Sequence, residues 1–375
     1  MKRNNDDRMF GKSTYRISLA AVALLLAAAC SKIETWVGDP VPVTFSTYAQ
    51  RSTKADASYV APGADFATGS IIGLYGYYHD ASDWATENAA GTNIADFMYH
   101  TALTKQSDGS WTYSPIKYWP NNYGTGANST DVDKLSFWGY YPRNASGLNL
   151  YKSGTTTAYD NNSNGLPKAV FTQAEDPADQ IDLMFSVPLH DLYRNDAQNH
   201  GALANGEVNL VFKHALALVE FQLAEGTGAK LNTLELTHIK KNGTVADPGT
   251  IPFVWDNVDT EYTISQTDID VNEATVLRLL AIPQDINADA TFTLNYDITF
   301  ASSDPTHPDP IVYTGDSFSV KLFKTGTGAY GVTQWEAGKH YIYKIAAGLD
   351  RIEFEEIVES SEDWSVGNPN ISVPE

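Results

Sequence analysis

The stretch Glu207–Leu223, EVNLVFKHALALVEFQL, is the most continuously apolar segment of the chain outside residues 1–30. At about seventeen residues it is too long for one ordinary β-strand. Its first half alternates polar and apolar residues, which is typical of a strand with one buried face. We therefore interpret the stretch as two strands joined by a bend near His214 and Ala215, and as the passage from one domain into the next.

The same period-two pattern recurs along the chain from Val41 onward. Clear examples are Val41/Val43/Phe45, Val208/Leu210/Phe212, Phe292/Leu294/Tyr296/Ile298/Phe300, Phe318/Val320/Leu322 and Tyr341/Tyr343/Ile345. Long helical periodicity is nearly absent, and clusters of Gly, Asn, Asp and Pro separate the short apolar segments. The pattern predicts an all-β protein built from β-sandwiches.

The N-terminal residues have the order of an export signal. Basic residues precede the apolar run ISLAAVALLLAAA and Cys30, which is the chain's one cysteine. The run is too short to span a bilayer comfortably, so residues 1–29 are predicted to be a cleaved signal peptide. LAAAC at 26–30 resembles a bacterial lipobox, in which the cysteine is acylated, although Ala27 stands where Leu is most usual. The same letters also satisfy the small-x-small rule of ordinary signal peptidase, which would leave Cys30 as a free thiol.

Lipidation of Cys30 is the interpretation we favour, because an exported chain with one cysteine cannot use it for an internal disulfide. The remaining length exceeds a comfortable single core, which predicts two domains. We place an N-terminal β-sandwich at residues 30–213, a C-terminal β-sandwich at 214–358 and a tail at 359–375.

The charge balance argues against nucleic acid as a partner. The chain has 25 Lys and Arg against 46 Asp and Glu, a formal net charge of −21. A surface this acidic repels phosphates and anionic lipid head groups.

Motifs for catalysis or metal binding are not found. The sequence has no G-x-S-x-G elbow, no H-E-x-x-H pair and no cysteine pair, so we predict neither an enzyme nor a cofactor or metal site. Asp160–Gly165 fits the opening of a D-x-N-x-N-G calcium loop, but Phe171 stands where the bidentate Glu should be. A polar turn is therefore favoured. His214 is interpreted as a core or strand-end residue that is hydrogen-bonded locally.

Aromatic clusters offer a second possibility for function. LYGYY at 74–78, YWP at 118–120 and FWGYYP at 137–142 could stack against sugar rings, but their alternation with glycine favours packing in a core. A glycan site remains the alternative, with Trp84, Trp111 and Trp119 as its candidate residues.

An ordered series of short motifs runs along nearly the whole chain after the signal. It comprises the lipobox at Cys30, VTFS (43–46), GSIIGLYGYY (69–78), WTYSPIKYWP (111–120), KLSFWGYYP (134–142), DLMFS (182–186), VNLVFKHALALVEF (208–221) and WEAGKHYIYKI (335–345). In this order the motifs resemble the fimbrillin family of Bacteroidales, the lipoprotein subunits of type V pili.

The resemblance implies two tandem transthyretin-like β-sandwiches and no enzymatic activity. It also implies export to the outer membrane as a lipoprotein, followed by cleavage by an arginine-specific protease that removes the lipid and the first strand. The vacated groove would accept a strand from another pilus subunit, so that the protein ends at the cell surface in a fimbrium.

In this sequence, the resemblance places the removable first strand at the N-terminal segment whose apolar residues are Val41, Val43 and Phe45. Burying three such side chains is worth roughly 5 to 8 kcal/mol before ordering costs. Arg51 follows in a polar stretch where a protease could reach an extended chain, and it is our processing site. The alternative is that Arg51 is an ordinary loop arginine. Lys54 is the second candidate cleavage site if the protease accepts lysine.

The C-terminal tail could provide the donor strand. Its apolar residues are Trp364, Val366, Ile371 and Val373. Pro369 and Pro374 would keep any strand short, so a flexible tail is the alternative. If Arg51 is not cut, the protein would keep its lipid and act as a pilus anchor, or as a monomeric outer-membrane lipoprotein that binds a glycan or a host protein.

Overall fold

The computed structural model describes residues 40–49, 66–120, 132–193, 207–223, 229–267, 275–300, 309, 311–323, 332–347 and 352–360. Strands dominate these residues, which confirms the predicted all-β class. The helix α1 (Trp84–Ala90) begins after Asp83, whose carboxylate accepts the Thr86 amide at 2.8 Å, and ends at Gly91, where φ is +74°.

The strands up to the predicted domain boundary are short. They are β1 (Thr44–Ala49), β2 (Ile71–His79), β3 (Met98–Lys105), β4 (Trp111–Thr112), β5 (Lys134–Tyr141), β6 (Leu148–Tyr151), β7 (Lys168–Thr172), β8 (Met184–Ser186), β9 (Leu189–Leu192) and β10 (Glu207–His214). A 3₁₀ turn, Pro177–Asp179, precedes β8.

The strands after that point are longer on average. They are β11 (Ala217–Leu223), β12 (Ala229–Val245), β13 (Trp255–Thr267), β14 (Thr275–Ala281), β15 (Gln284–Asp285), β16 (Thr291–Phe300), β17 (Ile311–Lys321), β18 (Gln334–Trp335), β19 (His340–Ala347) and β20 (Ile352–Ser360).

Three larger sheets and one small one organise the described strands. The first sheet has the order β1-β10-β8-β5-β2-β3-β4, with β9 also paired to β5. The second is β14-β11-β19-β20, the third is β17-β16-β12-β7-β6 with β13 on β12, and β15 pairs with β18. The pairing of β7 with β12 crosses the boundary that we predicted near residue 213. That boundary stays a prediction.

The stretch that we took as two strands does form two strands. β10 ends at His214 in the first sheet, and β11 begins at Ala217 in the second. Ala215 and Leu216 between them are both 0% exposed, which explains why the sequence stays apolar through the bend. The predicted bend is therefore confirmed.

Buried side chains form three clusters. One lies on a face of the first sheet around Phe45, Phe137 and Phe212. A second lies in the C-terminal half, where Phe221 stacks on Phe292 with ring centroids 4.4 Å apart. The third combines residues from both halves, among them Tyr77, Trp138, Phe171, Phe185, Phe253 and Ile282.

Both faces of the first sheet are covered as a result. In β5, Phe137 belongs to the first cluster while its neighbour Trp138 belongs to the third. This explains why β2 and β5 read as runs of aromatic residues and glycine instead of a simple alternation.

Candidate functional site

The first strand, β1, has a strictly one-sided burial pattern at its start. Val43 and Phe45 are 1% and 3% exposed, and Val41 is half-buried against the same cluster. Thr44 between them is exposed. The three residues that we predicted for a removable strand therefore share the buried face, as period two requires.

Backbone hydrogen bonds hold β1 from two directions. On one side β1 pairs with β10 in parallel, from Thr44 opposite Glu207 to Ala49 opposite Phe212. On the other side, the Val43 amide donates to the Lys117 carbonyl at 2.9 Å, and the Trp119 amide donates to the Val41 carbonyl at 3.0 Å. The start of β1 thus lies between β10 and the segment Tyr113–Trp119, and we call this space the first-strand groove.

Aromatic side chains close the groove over β1. The Phe45 ring meets Tyr113 and Phe137 edge-on, with centroid distances of 5.6 and 5.4 Å. Such contacts add to the burial of apolar area. The rest of the lining is apolar and comes mainly from β10 and the end of the facing segment: Trp119, Val208, Leu210 and Phe212.

The hydroxyl group of Tyr113 also reaches the backbone of the residue just before β1, Val43. It donates to the Val43 carbonyl oxygen at 2.7 Å. Burial raises the pKa of Tyr113, which keeps this hydroxyl protonated and able to donate at neutral pH. The groove therefore holds this part of the chain both by its backbone and by two buried apolar side chains on alternate positions, Val43 and Phe45.

Several predicted site residues lie outside the described part of the chain. They are Cys30, Arg51, Lys54, Trp364, Val366, Ile371 and Val373. Their assignments as lipidation, processing and donor-strand residues stay predictions.

Most residues of the aromatic clusters lie in the core, as favoured from the sequence, although Tyr118 is 44% exposed. Tyr75, Tyr77, Trp138 and Tyr140 are all at most 3% exposed. Two of the three tryptophans considered for a glycan site are also buried, since Trp111 is 8% exposed and Trp119 is 2% exposed. Both face the first cluster and present no stacking surface to a ligand, so that part of the glycan hypothesis was wrong. Trp84 is half-buried and lines a cavity.

The calcium-like motif forms a polar turn. Asp160 accepts hydrogen bonds from the Ser163 hydroxyl at 2.8 Å and the Asn162 amide at 3.0 Å, and Gly165 adopts φ +69°. These donors and a salt bridge to Lys152 hold the pKa of Asp160 below its ordinary value. Within the described residues, no group of three or more His, Cys, Asp or Glu side chains is placed to share a metal ion.

His214 occupies the position expected from the sequence. It is the last residue of β10, is 4% exposed, and places Nδ1 at 2.9 Å from the Asp182 carboxylate. Asp182 is equally buried, so the pair links β10 to the segment before β8 in the core.

A Ser-His-carboxylate arrangement was missed in the sequence. His79 Nδ1 lies 2.7 Å from Glu87 Oε2, and its Nε2 lies 2.8 Å from Ser136 Oγ. Ser136 Oγ also accepts the Asp191 amide at 3.0 Å. His79 and Ser136 are both 0% exposed, so no substrate carbonyl can reach the hydroxyl in this conformation. The cluster instead ties β2, β5, β9 and α1 together.

No local motif could have revealed this cluster, because its members come from distant parts of the chain.

In the portion of the chain that the structure covers, none of the helices has the length and apolar character needed to cross a bilayer.

One family model matches most of the chain, and solved structures share its fold. A family model described as Fimbrillin-like matches residues 53–364. A fimbrial protein from Bacteroides vulgatus ATCC 8482 has a similar fold, with a TM-score of 0.54 at 19% identity, covering 86% of this chain and 99% of that one. A candidate cell adhesion protein from Bacteroides uniformis ATCC 8492 gives a TM-score of 0.47 at 16% identity, with coverage of 86% and 99%. No curated protein matches the sequence significantly.

Proposed function

Because the chain belongs to the fimbrillin-like family, we propose that it is a non-catalytic pilus subunit that assembles at the cell surface by donor-strand exchange. In this proposal the chain is exported, acylated at Cys30 and held in the outer membrane by its lipid. An arginine-specific protease then cuts after Arg51 and releases the segment that carries Val41, Val43 and Phe45.

The observation that carries the proposal is the seating of β1 in the first-strand groove. Val43 and Phe45 are nearly fully buried there, and each such side chain contributes about 1.5 to 3 kcal/mol. Removal of the segment that carries β1 would expose the apolar lining and break the backbone hydrogen bonds that it makes to β10, Lys117 and Trp119. An open edge of this kind favours the addition of another strand.

The incoming strand is proposed to come from the tail of a neighbouring subunit, either a copy of this chain or a related fimbrillin. Its apolar residues are Trp364, Val366, Ile371 and Val373. A donated strand would refill the groove and restore the backbone hydrogen bonds, so repair of the fold would drive polymerisation.

The test is the N-terminus of the protein recovered from the outer membrane, with and without the arginine-specific protease. Intact mass and N-terminal sequencing should show a chain starting at Cys30 with an acyl modification before treatment, and at Ser52 after it. Arg51→Ala should keep β1 and fail to polymerise, while the matched change Lys54→Ala should leave both cleavage and polymer formation intact.

Two results would count against this assembly route. Polymers formed equally well by Arg51→Ala and by a chain lacking residues 361–375 would overturn strand exchange through these segments. A chain that keeps acylated Cys30 and β1 after protease treatment would instead make the protein an anchor subunit or a monomeric surface lipoprotein.

A further inference from the structure

A cavity of about 440 Å³ lies away from the first-strand groove. Its walls come from α1, the turn at 160–165, the start of β9 and the turn at 246–250. The volume falls within the range of about 300 to 1,000 Å³ that small-molecule sites occupy. Residues on both sides of the predicted domain boundary contribute to it, a common position for ligand sites.

Two stacked rings form one wall of the cavity. The Trp84 indole lies against the His190 imidazole with centroids 4.1 Å apart and an interplanar angle of 29°. The buried Tyr77 ring meets the indole edge-on at 4.9 Å and fixes its orientation. His190 keeps part of its surface exposed. The wall is therefore a rigid aromatic surface that opens toward solvent.

Polar side chains with fixed geometry surround this wall. Asn164 Nδ2 donates to the Asn88 carbonyl at 3.3 Å, and Asn164 Oδ1 accepts the Asn93 amide at 2.9 Å. Across the cavity, Asp247 accepts the Gly249 amide at 2.9 Å and the Thr250 hydroxyl at 2.7 Å. The Asn164 amide and the Asp247 carboxylate each retain lone pairs or N–H groups beyond the hydrogen bonds that hold them in place.

The charge of the cavity selects against anions. Among its described lining residues there is no lysine or arginine, and Asp247 provides a carboxylate. Partial burial lowers the pKa of His190 below its ordinary value, which disfavours a positive charge on the imidazole. The chain as a whole has a net charge of −21, which adds to the repulsion of an acidic ligand.

We propose that this cavity binds a neutral hexopyranose unit of a glycan. A pyranose ring has an apolar C–H face that can lie on the Trp84–His190 stack, and its equatorial hydroxyls both donate and accept hydrogen bonds. Amide and carboxylate groups around an aromatic wall are complementary to such a ring. The site would give the pilus subunit an adhesive function, but binding of a monosaccharide does not require assembly.

The experiment is saturation-transfer NMR and calorimetric titration of the uncleaved, exported protein. The neutral probes are the methyl glycosides of glucose, galactose, mannose and N-acetylglucosamine, and the acidic probes are methyl glucuronide and sialic acid. At least one neutral glycoside should bind with a dissociation constant below about 10 mM, the weak end of specific affinities. Neither acidic probe should bind comparably.

Variants then place the binding in this cavity. Ser153 lines the cavity and is exposed, so Ser153→Trp should fill the space without disturbing the core. His190→Ala removes one ring of the stack. Each should weaken binding by about tenfold or more, which corresponds to roughly 1.4 kcal/mol. Ser107→Trp, at an exposed turn between β3 and β4, is the matched control and should bind like the unchanged protein.

Three results would overturn the proposal: no neutral probe binds, the acidic probes bind as well as the neutral ones, or both cavity variants bind normally. Because all readings are taken on the uncleaved protein, failure here would leave the strand-exchange proposal untouched. Failure of polymerisation would likewise not contradict the proposed glycan site, because sugar binding is measured without assembly.

Discussion

The hydroxyl group of Tyr113 donates a 2.7 Å hydrogen bond to the carbonyl oxygen of Val43, the residue that leads into the first strand. The same hydroxyl accepts the Lys117 amide at 3.3 Å, and the Tyr113 ring meets Phe45 edge-on. One side chain on the groove wall therefore holds both the backbone and a core side chain of β1. Its loss should loosen β1 more than the loss of any exposed residue on the same wall.

Tyr113→Phe tests this link while it preserves the ring packing. The buried Val43 carbonyl loses a partner, so the free energy of unfolding should fall by about 1 to 2 kcal/mol. Urea titration followed by tryptophan fluorescence measures the change. Tyr118→Phe, at a tyrosine that is 44% exposed on the same segment, should change it by less than about 0.5 kcal/mol. Equal effects of the two variants would contradict the role given to Tyr113.

Phe45→Ala tests the apolar part of the same contact. Removal of a ring that is 3% exposed should lower the free energy of unfolding by about 3 to 5 kcal/mol, because a cavity remains between Tyr113 and Phe137. If that variant does not fold, Phe45→Leu gives a smaller loss that urea titration can measure. Tyr48→Thr is the control on the same strand, since Tyr48 is 42% exposed. A loss at Tyr48 as large as that at Phe45 would count against burial as the source of β1 stability.

Ser136→Ala separates a structural role of the Ser-His-carboxylate cluster from a catalytic one. The change leaves His79 Nε2 and the Asp191 amide without a buried partner, which should lower the free energy of unfolding by about 1 to 3 kcal/mol. Ser107→Ala, at an exposed serine, should change it by less than about 0.5 kcal/mol. Hydrolysis of p-nitrophenyl acetate should be equally low in both variants and in the unchanged protein. A selective loss of hydrolysis in Ser136→Ala with unchanged stability would reverse this interpretation.

Local alternation made the strands predictable from the sequence. Phe292, Leu294 and Tyr296 in β16 are 0%, 0% and 7% exposed, as their period-two spacing indicated. The spacing carries this information because successive side chains on a strand point to opposite faces. The bend near His214 and Ala215 was predicted instead from the length of the apolar stretch, which exceeds one ordinary strand.

Contacts between distant segments could not be predicted in this way. The parallel pairing of β1 with β10 and the pairing of β7 with β12 depend on which edges meet in three dimensions. The cavity beside Trp84 has the same origin, since Asp247 reaches it from beyond the predicted domain boundary. The three tryptophans were equal candidates from the sequence, and only their burial in the structure separates Trp84 from Trp111 and Trp119.

A half-buried histidine of β3, His100, should make the fold sensitive to mild acid. His100 stacks on Tyr140 with centroids 5.9 Å apart, and its Nε2 lies 2.6 Å from the Tyr140 hydroxyl. Burial, and then the positive charge of Arg143, lower the pKa of His100 below its ordinary value of 6.5. The folded protein therefore resists protonation of this ring.

Because the pKa of His100 is lower in the folded state, the unfolded chain binds more protons between the two pKa values, so stability decreases as the pH is lowered across that interval. The urea midpoint should therefore be lower at about pH 5.5 than at about pH 7.5, values on either side of the ordinary histidine pKa. His100→Asn, which tolerates the φ of +47° at this position, should reduce the difference between the two midpoints. His238→Asn, at an exposed histidine with φ of +59°, should leave the difference as it is. An unchanged difference in His100→Asn would assign the acid sensitivity to other groups.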